Sequence, residues 1–247
     1  METLKNQERD DRSDSFRMIG DLITTIAKHD GIDVDERTSA RWRDLLGLLR
    51  EFDTLVDDQG ISHKQGLAEL QNFSRFKDNY PTLGPPEIDD DTHARMVNRV
   101  ELILHLGQAI ACTRDRDEFV RLRTEEAAET AELLADCASG DTTTQAGFYT
   151  RFMPTLRAMA TSANFLDTLA DYRQDRREQK VQLEPSTTTA LLLAQTALAN
   201  LVRSKHIFTD TQVMKGFYDM SVMRLKNRIE HGKTPYSSLK NISSNNL

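Results

Sequence analysis

The sequence predicts an all-α fold, a single-domain helical bundle. Apolar residues recur at the i, i+3, i+4 spacing of amphipathic helices over long segments. No segment alternates apolar and polar residues for long enough to form a strand of a sheet. The 247 residues are enough for one large core, and no linker-like stretch divides them. We therefore expect one helical domain over residues 13–232, between a flexible N-terminus, 1–12, and a disordered polar tail, 233–247.

Capping residues and helix stops define the first half of the predicted bundle. A Ser, Thr or Asp at the N-cap accepts a hydrogen bond from an unpaired helical N–H, and glycine ends a helix because it adopts the left-handed conformation without strain. The stretch from Asn79 to Glu87 concentrates turn residues and is predicted to be a loop. Before it, these signals predict a helix from Ser13 or Asp14 to His29 that stops at Gly31, a second that begins at Thr38 or Ser39, and a third over Ser62 to Phe76.

The same signals continue after the loop and bring the total to seven or eight helices. The run Asp89-Asp90-Asp91 directly precedes a helix, so we interpret it as a cap and a complement to the helix dipole, not as a metal site. The predicted helices run from Asp91 or Thr92 to Cys112, from Asp115 or Asp117 to near Gly140, from Met153-Pro154 to Arg177, from Ser186 to about Ser204, and from Thr209 or Asp210 to Gly232.

Two acidic clusters lie on predicted helices that each have an apolar face. The first acidic cluster comprises Asp53, Asp57 and Asp58, and the second comprises Asp167, Asp171 and Asp175. Advancing by about 100° per residue places Asp53 and Asp167 within apolar faces, whereas Asp58 points elsewhere and the other three lie along the edges. The faces comprise Trp42, Leu45, Leu46, Leu49, Phe52 and Val56 on the earlier helix, and Leu156, Met159, Ala160, Ala163, Leu166 and Ala170 on the later one.

Carboxylates on the buried side of a helix need a compensating cation, because burying an unpaired charge is very costly. Mg²⁺ fits this requirement, since it prefers oxygen ligands and completes its coordination with water and phosphate. Carboxylates on two facing helices would then hold Mg²⁺ ions around a diphosphate. The alternative is a solvated face that is neutralised at helical spacing by Arg50, Arg173, Arg176 and Arg177. The matching positions of the two clusters favour the metal.

Composition argues against several other classes of protein. The net charge is −7 and the 32 basic residues are scattered, so nucleic acid is not an expected partner. No apolar run reaches the ~20 residues of a transmembrane helix, and the first residues lack the apolar segment of a secretory signal, so we expect a cytoplasmic protein. No glycine-rich phosphate loop occurs. The six histidines form no HxxxH or HxH pair, which argues against zinc.

Three remaining groups of residues are predicted to be structural. The two cysteines, Cys112 and Cys137, lie within helical patterns and are expected to be buried thiols. Four aromatic residues could line a pocket, but we expect them to form core: Phe119, Phe148, Tyr149 and Phe152. Neighbouring basic and acidic residues are expected to pair on a solvated face: Arg121, Arg123, Glu125 and Glu126.

Both acidic clusters resemble the aspartate-rich motifs of squalene and phytoene synthases. The stretch from Arg50 to Asp58 is similar to the first motif, in which an arginine stands three residues before D-T-x-x-D-D. The stretch from Asp167 to Leu183 is similar to N-x-x-R-D-x-x-x-D-x-R-R-G-R-x-x-L-P. Asp167 takes the place of the usual Asn, which keeps a metal ligand but adds charge. The resemblance implies a helical bundle of the class I isoprenoid (terpenoid) synthase type.

The resemblance also implies a reaction. This is the Mg²⁺-dependent ionisation of an allylic prenyl diphosphate, of C15–C20 length, to a terpene hydrocarbon or alcohol plus diphosphate. Metal would be bound by Asp53, Asp57, Asp58, Asp167, Asp171 and Asp175, with Asp53, Asp57, Asp171 and Asp175 catalytic, and diphosphate by Arg50, Arg177 and Lys180. Two alternatives stay open: a prenyltransferase that condenses prenyl diphosphates or prenylates another acceptor, and a non-catalytic helical binding protein. A homodimer is also open.

Overall fold

The computed structural model describes residues 18–57, 61–84, 86–177, 181–184 and 186–219, apart from the side chains at 53, 54, 56, 57, 171–175 and 177. Every regular element in these residues is helical, so the all-α prediction is confirmed. The predicted N-terminus, 1–12, and tail, 233–247, lie outside the described residues. The helices are α1, 18–29; α2, Glu36–Asp57; α3, His63–Asn72; α4, Asp90–Cys112; α5, Arg116–Cys137; α6, Gly140–Thr143; α7, Met153–Arg177; α8, Thr187–Arg203; and α9, 211–219.

Local capping chemistry explains where several helices begin. The Asp89 carboxylate accepts the Thr92 N–H at 2.7 Å at the start of α4, and the Asp115 carboxylate accepts the Glu118 N–H at 2.8 Å at the start of α5. Ser62 and Ser186 cap α3 and α8 in the same way. The interpretation of the aspartate run before α4 as a cap is therefore confirmed.

Three predicted helix boundaries are wrong. Helix α4 begins at Asp90 and its N-cap is Asp89, not Asp91 or Thr92. Helix α2 begins at Glu36 and not at Thr38 or Ser39, because the Asp35 carboxylate accepts the Thr38 N–H and caps the helix earlier. Helix α3 ends at Asn72, four residues before the predicted end, because Phe73 has φ +56° and closes the helix in the left-handed region.

Side chains of α2 cap the C-terminal end of α5. The Trp42 indole N–H donates to the Leu134 carbonyl at 2.8 Å, and the Arg41 guanidinium donates to the Cys137 carbonyl at 3.4 Å. The last turn of a helix has carbonyls without an intrahelical partner, so these bonds satisfy groups that would otherwise be buried unpaired. Trp42 is fully buried and stacks on Phe152 with 5.7 Å between ring centroids.

The buried apolar residues form two clusters. The larger one surrounds Trp42 and draws on α1, α2, α4 and the end of α5. The second apolar cluster lies where α5 begins, and it comprises Leu106, Ile110, Phe119, Leu122, Phe165, Val181, Leu183, Leu193 and Ala197. Of the four aromatic residues predicted as core, Phe119, Phe148 and Phe152 are fully buried, whereas Tyr149 is 59 % exposed. Among the described residues, no helix is both long and apolar enough to cross a membrane.

Candidate functional site

Helix α2 runs antiparallel to α5. Thr38, near the start of α2, exchanges hydrogen bonds with Ser139, just beyond the end of α5. One turn later on α2, Trp42 reaches back to Leu134. As the residue number rises along α2 it falls along α5, so the two helices point in opposite directions.

Helix α7 is also antiparallel to α5. Arg157 pairs with Glu132, and two turns later Asn164 donates to the Glu126 carboxylate at 3.3 Å. Helices α2 and α7 are therefore parallel to one another. Both begin beside the C-terminal end of α5, and both run towards its N-terminal end.

This arrangement brings the backbone at Asp53 and Asp57 and the backbone of the second acidic cluster to the same end of the bundle. The clusters start about three turns beyond the α5 contacts of Trp42 on α2 and of Arg157 on α7. Both therefore reach the level at which α5 begins. The side chains of Asp53, Asp57, Asp171 and Asp175 lie outside the described residues, as does the whole of Asp58.

The prediction that Asp167 lies within a buried face is wrong, because its side chain is exposed. Asp167 follows Phe165 by about 200° around the helix, and Phe165 is fully buried. Leu166, placed in the predicted apolar face, is 45 % exposed. An exposed carboxylate is hydrated and does not require a cation to offset burial.

Small polar residues explain why the buried face of α7 was assigned wrongly. Its centre contains Thr161, Ser162 and Thr168, which a hydropathy pattern places in water. Each hydroxyl donates to a backbone carbonyl, at 2.8 Å for Thr161 and Thr168 and at 2.9 Å from Ser162 to Ala197 of α8. Because the hydroxyls are paired, burying them costs little.

The basic residues expected to bind diphosphate are only partly described. Arg50 is half-buried on α2, whereas the Arg177 side chain and the whole of Lys180 lie outside the described residues. The segment just after Lys180 packs against the end of α4, where the Gln182 N–H donates to the Ala111 carbonyl at 3.1 Å. Val181 belongs to the second apolar cluster, so this segment also lies at the end of the bundle that carries the acidic clusters.

A groove of about 840 Å³ lies nearer the opposite end of α7. It is lined by the end of α1, by α5, by the first half of α7, by the end of α8 and by the turn Lys205–Thr209. Three potential metal ligands gather there: His29, Asp30 and His206. The sequence argument against zinc missed this group, because Asp30 and His206 are 176 positions apart and no local spacing pattern can join them.

The end of α1 fixes His29 and Asp30. Gly31 has φ +78°, its N–H donates to the Lys28 carbonyl, and the Ile32 N–H donates to the Ala27 carbonyl. These two bonds form a Schellman motif, which closes a helix when glycine adopts the left-handed conformation. His29 is therefore the last helical residue and Asp30 the C-cap.

The groove is rich in arginine. Arg151, Arg157 and Arg203 line it together with the His–Asp–His group. Arg157 is paired with Glu132, whereas Arg151 donates to the Ala146 carbonyl and pairs with no carboxylate among the described residues. A ligand that carries negative charge is therefore favoured at this end of the groove.

The two cysteines differ from one another. Cys137 is buried as predicted, and desolvation raises the pKa of its thiol to about 12. Cys112, at the end of α4, is exposed, so the prediction that it is buried is wrong. Neither thiol belongs to the groove.

The expected charge pairing on α5 is confirmed. Arg121 bridges Glu118 at 2.9 Å and Glu125 at 2.6 Å on an exposed face, and Arg123 pairs with Glu126 at 2.8 Å. Hydrogen bonding to Glu118 is the main cause that raises the pKa of Arg121 above its ordinary range. The Arg121 pairs lie on a solvated face as predicted, whereas the Arg123–Glu126 pair is half-buried, with side chains 23 % and 14 % exposed.

Three comparisons with known proteins add nothing to this geometry. No protein-family model, no curated protein and no solved structure matches the chain.

Proposed function

We propose that the protein is a Mg²⁺-dependent class I isoprenoid synthase that ionises an allylic prenyl diphosphate to a terpene hydrocarbon or alcohol. One observation carries the proposal. Two segments that resemble the aspartate-rich motifs of squalene and phytoene synthases lie on parallel helices, and both reach the end of the bundle at which α5 begins.

The donor set fits Mg²⁺. All six candidate ligands, Asp53, Asp57, Asp58, Asp167, Asp171 and Asp175, are carboxylates, and Mg²⁺ is bound through a few carboxylates while it keeps several water molecules. Because Asp167 is exposed, its burial cannot be used as a reason for a bound cation. An exposed carboxylate can still bind Mg²⁺, because this ion keeps several of its water molecules. When bound, the metal would offset the negative charge that develops on the departing diphosphate.

Diphosphate binding and the exclusion of water would depend on side chains of the protein itself. Arg50, Arg177 and Lys180 would bind diphosphate oxygens, the arginines in a bidentate manner and the lysine as a point charge. The prenyl chain needs an apolar surface that excludes water, because water would capture the carbocation. The second apolar cluster lies at this end of the bundle, with Phe119 and Leu122 in the first two turns of α5.

The test is incubation with C10, C15 and C20 prenyl diphosphates, with Mg²⁺ or with EDTA, followed by measurement of diphosphate release and mass spectrometry of the products. We expect Mg²⁺-dependent release, reduced by about 100-fold in Asp53→Asn and in Asp171→Asn, because each change removes a carboxylate ligand of the Mg²⁺ that would offset the charge on the leaving group. Asp117→Asn is the matched control, since Asp117 is exposed in the first turn of α5 and belongs to neither cluster.

The products separate the alternatives. A product with the carbon skeleton of one substrate supports a terpene synthase, and a product that joins two prenyl groups indicates a prenyltransferase. Absence of release from every substrate, singly or in pairs, would refute the proposed reaction and favour a binding protein. Equal loss in Asp117→Asn would show that general charge, not a particular ligand, sets the rate.

A further inference from the structure

We propose that His29, Asp30 and His206 form a binding site for a divalent transition-metal ion of the Zn²⁺ type. The site lies in the groove and shares no residue with the acidic clusters. It does not rest on the proposed isoprenoid chemistry. Two imidazoles and one carboxylate are a ligand set typical of zinc, whereas Mg²⁺ prefers oxygen alone.

The distances suit one ion. Each of the three residues offers a ligand atom, and the three atoms lie within 4.8 Å of one another. Asp30 Oδ1 is 3.4 Å from His29 Nδ1 and 3.0 Å from His206 Nε2. Ligands of a tetrahedral zinc site with bonds of about 2.0 Å are separated by about 3.3 Å, so the two contacts to Asp30 already have about the required length.

The state of Asp30 is the second observation that points to an ion. The residue is 7 % exposed, and its other carboxylate oxygen, Oδ2, is buried without a hydrogen-bond partner among the described residues. A buried carboxylate oxygen without a partner is costly. Both histidine contacts fall on Oδ1, so the ion pair with the histidines leaves Oδ2 unsatisfied, and a divalent cation at Oδ1 would lower the cost of burying the charged carboxylate.

The surroundings hold the ligands in place. Asp30 is fixed as the C-cap of α1, and its own N–H donates to the Ile26 carbonyl at 2.9 Å. His206 lies in the turn Lys205–Thr209 after α8, and its Nε2 is also 3.3 Å from the Thr155 hydroxyl of α7, a contact that a metal ion bound at Nε2 would replace. Two elements, the end of α1 and the turn after α8, therefore supply the three ligands.

The arginines of the groove would oppose a bare cation but favour a metal that carries an anionic ligand. Three protein ligands leave at least one coordination position for water or a ligand, as in catalytic zinc sites. Arg151 and Arg203 line the same groove, so the ligand class that fits best has a carboxylate or phosphate next to a metal-binding atom.

The experiment is calorimetric titration of the full chain, purified with EDTA and then freed of it, with Zn²⁺ alone as the probe. We expect one Zn²⁺ per chain, and a loss of affinity of about 100-fold in His206→Ala and in Asp30→Asn, at least as large as the loss known for second-shell changes. His105→Ala is the matched control, because His105 is an exposed histidine on α4 outside the groove. The His206 side chain is 47 % exposed, so this variant is expected to fold.

A second readout needs no variant. In a spectrum of the histidine ring nitrogens, Zn²⁺ should shift two histidines of the six and leave the other four unchanged. Absence of Zn²⁺ binding by the wild-type chain would overturn the proposal. So would equal affinity in wild type and His206→Ala, or shifts spread over all six histidines. Retention of prenyl diphosphate release in His206→Ala would separate this site from the acidic clusters.

Discussion

Replacing Trp42 by phenylalanine tests the contact that joins α2 to the end of α5. The change removes the indole N–H and leaves the buried Leu134 carbonyl without its partner, which costs about 1–3 kcal/mol. The smaller ring also leaves roughly 40 Å³ of space beside Phe152, which adds about 1 kcal/mol at ~24 cal/mol per Å³. The expected loss in the free energy of unfolding is thus about 2–4 kcal/mol.

The assay is urea unfolding followed by far-ultraviolet circular dichroism, because Trp42 is the only tryptophan and its fluorescence disappears with the substitution. Leu198→Ala serves as the control. Leu198 is 58 % exposed on α8, so its truncation should change stability by less than about 0.5 kcal/mol. A loss below about 1 kcal/mol in Trp42→Phe would contradict the reasoning, since it would mean that the carbonyl finds another partner.

Three further predictions follow from single residues. Gly31→Ala should cost about 1–2 kcal/mol in thermal or urea unfolding, and Gly31→Asn less, because Gly31 has φ +78° and Asn tolerates the left-handed region better. A thiol reagent at mildly alkaline pH should modify Cys112 alone in the folded protein and Cys137 only after unfolding, because burial raises the pKa of Cys137 to about 12. Burial tends to raise the pKa of Asp35, but hydrogen bonds from Ser139 and neighbouring groups outweigh it and hold that pKa below 3.8. Wild type should therefore exceed Asp35→Asn in stability by a constant amount near neutral pH, and the difference should shrink as the pH falls below about 4. A difference that grows on acidification would show that the pKa of Asp35 is raised by folding, not lowered.

The sequence predicted helix type and most helix ends, because these depend on neighbouring residues. Ser186 was identified as an N-cap, Asp115 as one of two candidates with Asp117, and Gly31 as a stop, from residues within one turn of each end. The buried face of α2 was also predicted well, since it is built from large apolar side chains such as Trp42, Leu45 and Phe52. Periodicity is informative where hydropathy and burial agree.

The face of α7 could not be predicted in this way. Thr161, Ser162 and Thr168 are buried because their hydroxyls find carbonyl partners, and one of these partners belongs to a different helix, α8. Hydropathy predicts that such residues are exposed to water. The predicted buried face of α7 was therefore displaced around the helix axis, and Asp167 was assigned to the buried side. Cys112 illustrates the same limit, since its exposure depends on what packs against the end of α4.

By itself, the sequence determined the all-α class, several of the helix boundaries set by caps, and the two acidic motifs, because short-range hydrogen bonds and side-chain periodicity depend on adjacent residues. Only the tertiary structure decided that α2 and α7 run parallel beside α5, and that His29 and Asp30 meet His206 in one groove. The contacts that establish these relations join residues 38 to 176 positions apart. They depend on how whole helices pack, and no local pattern encodes that packing.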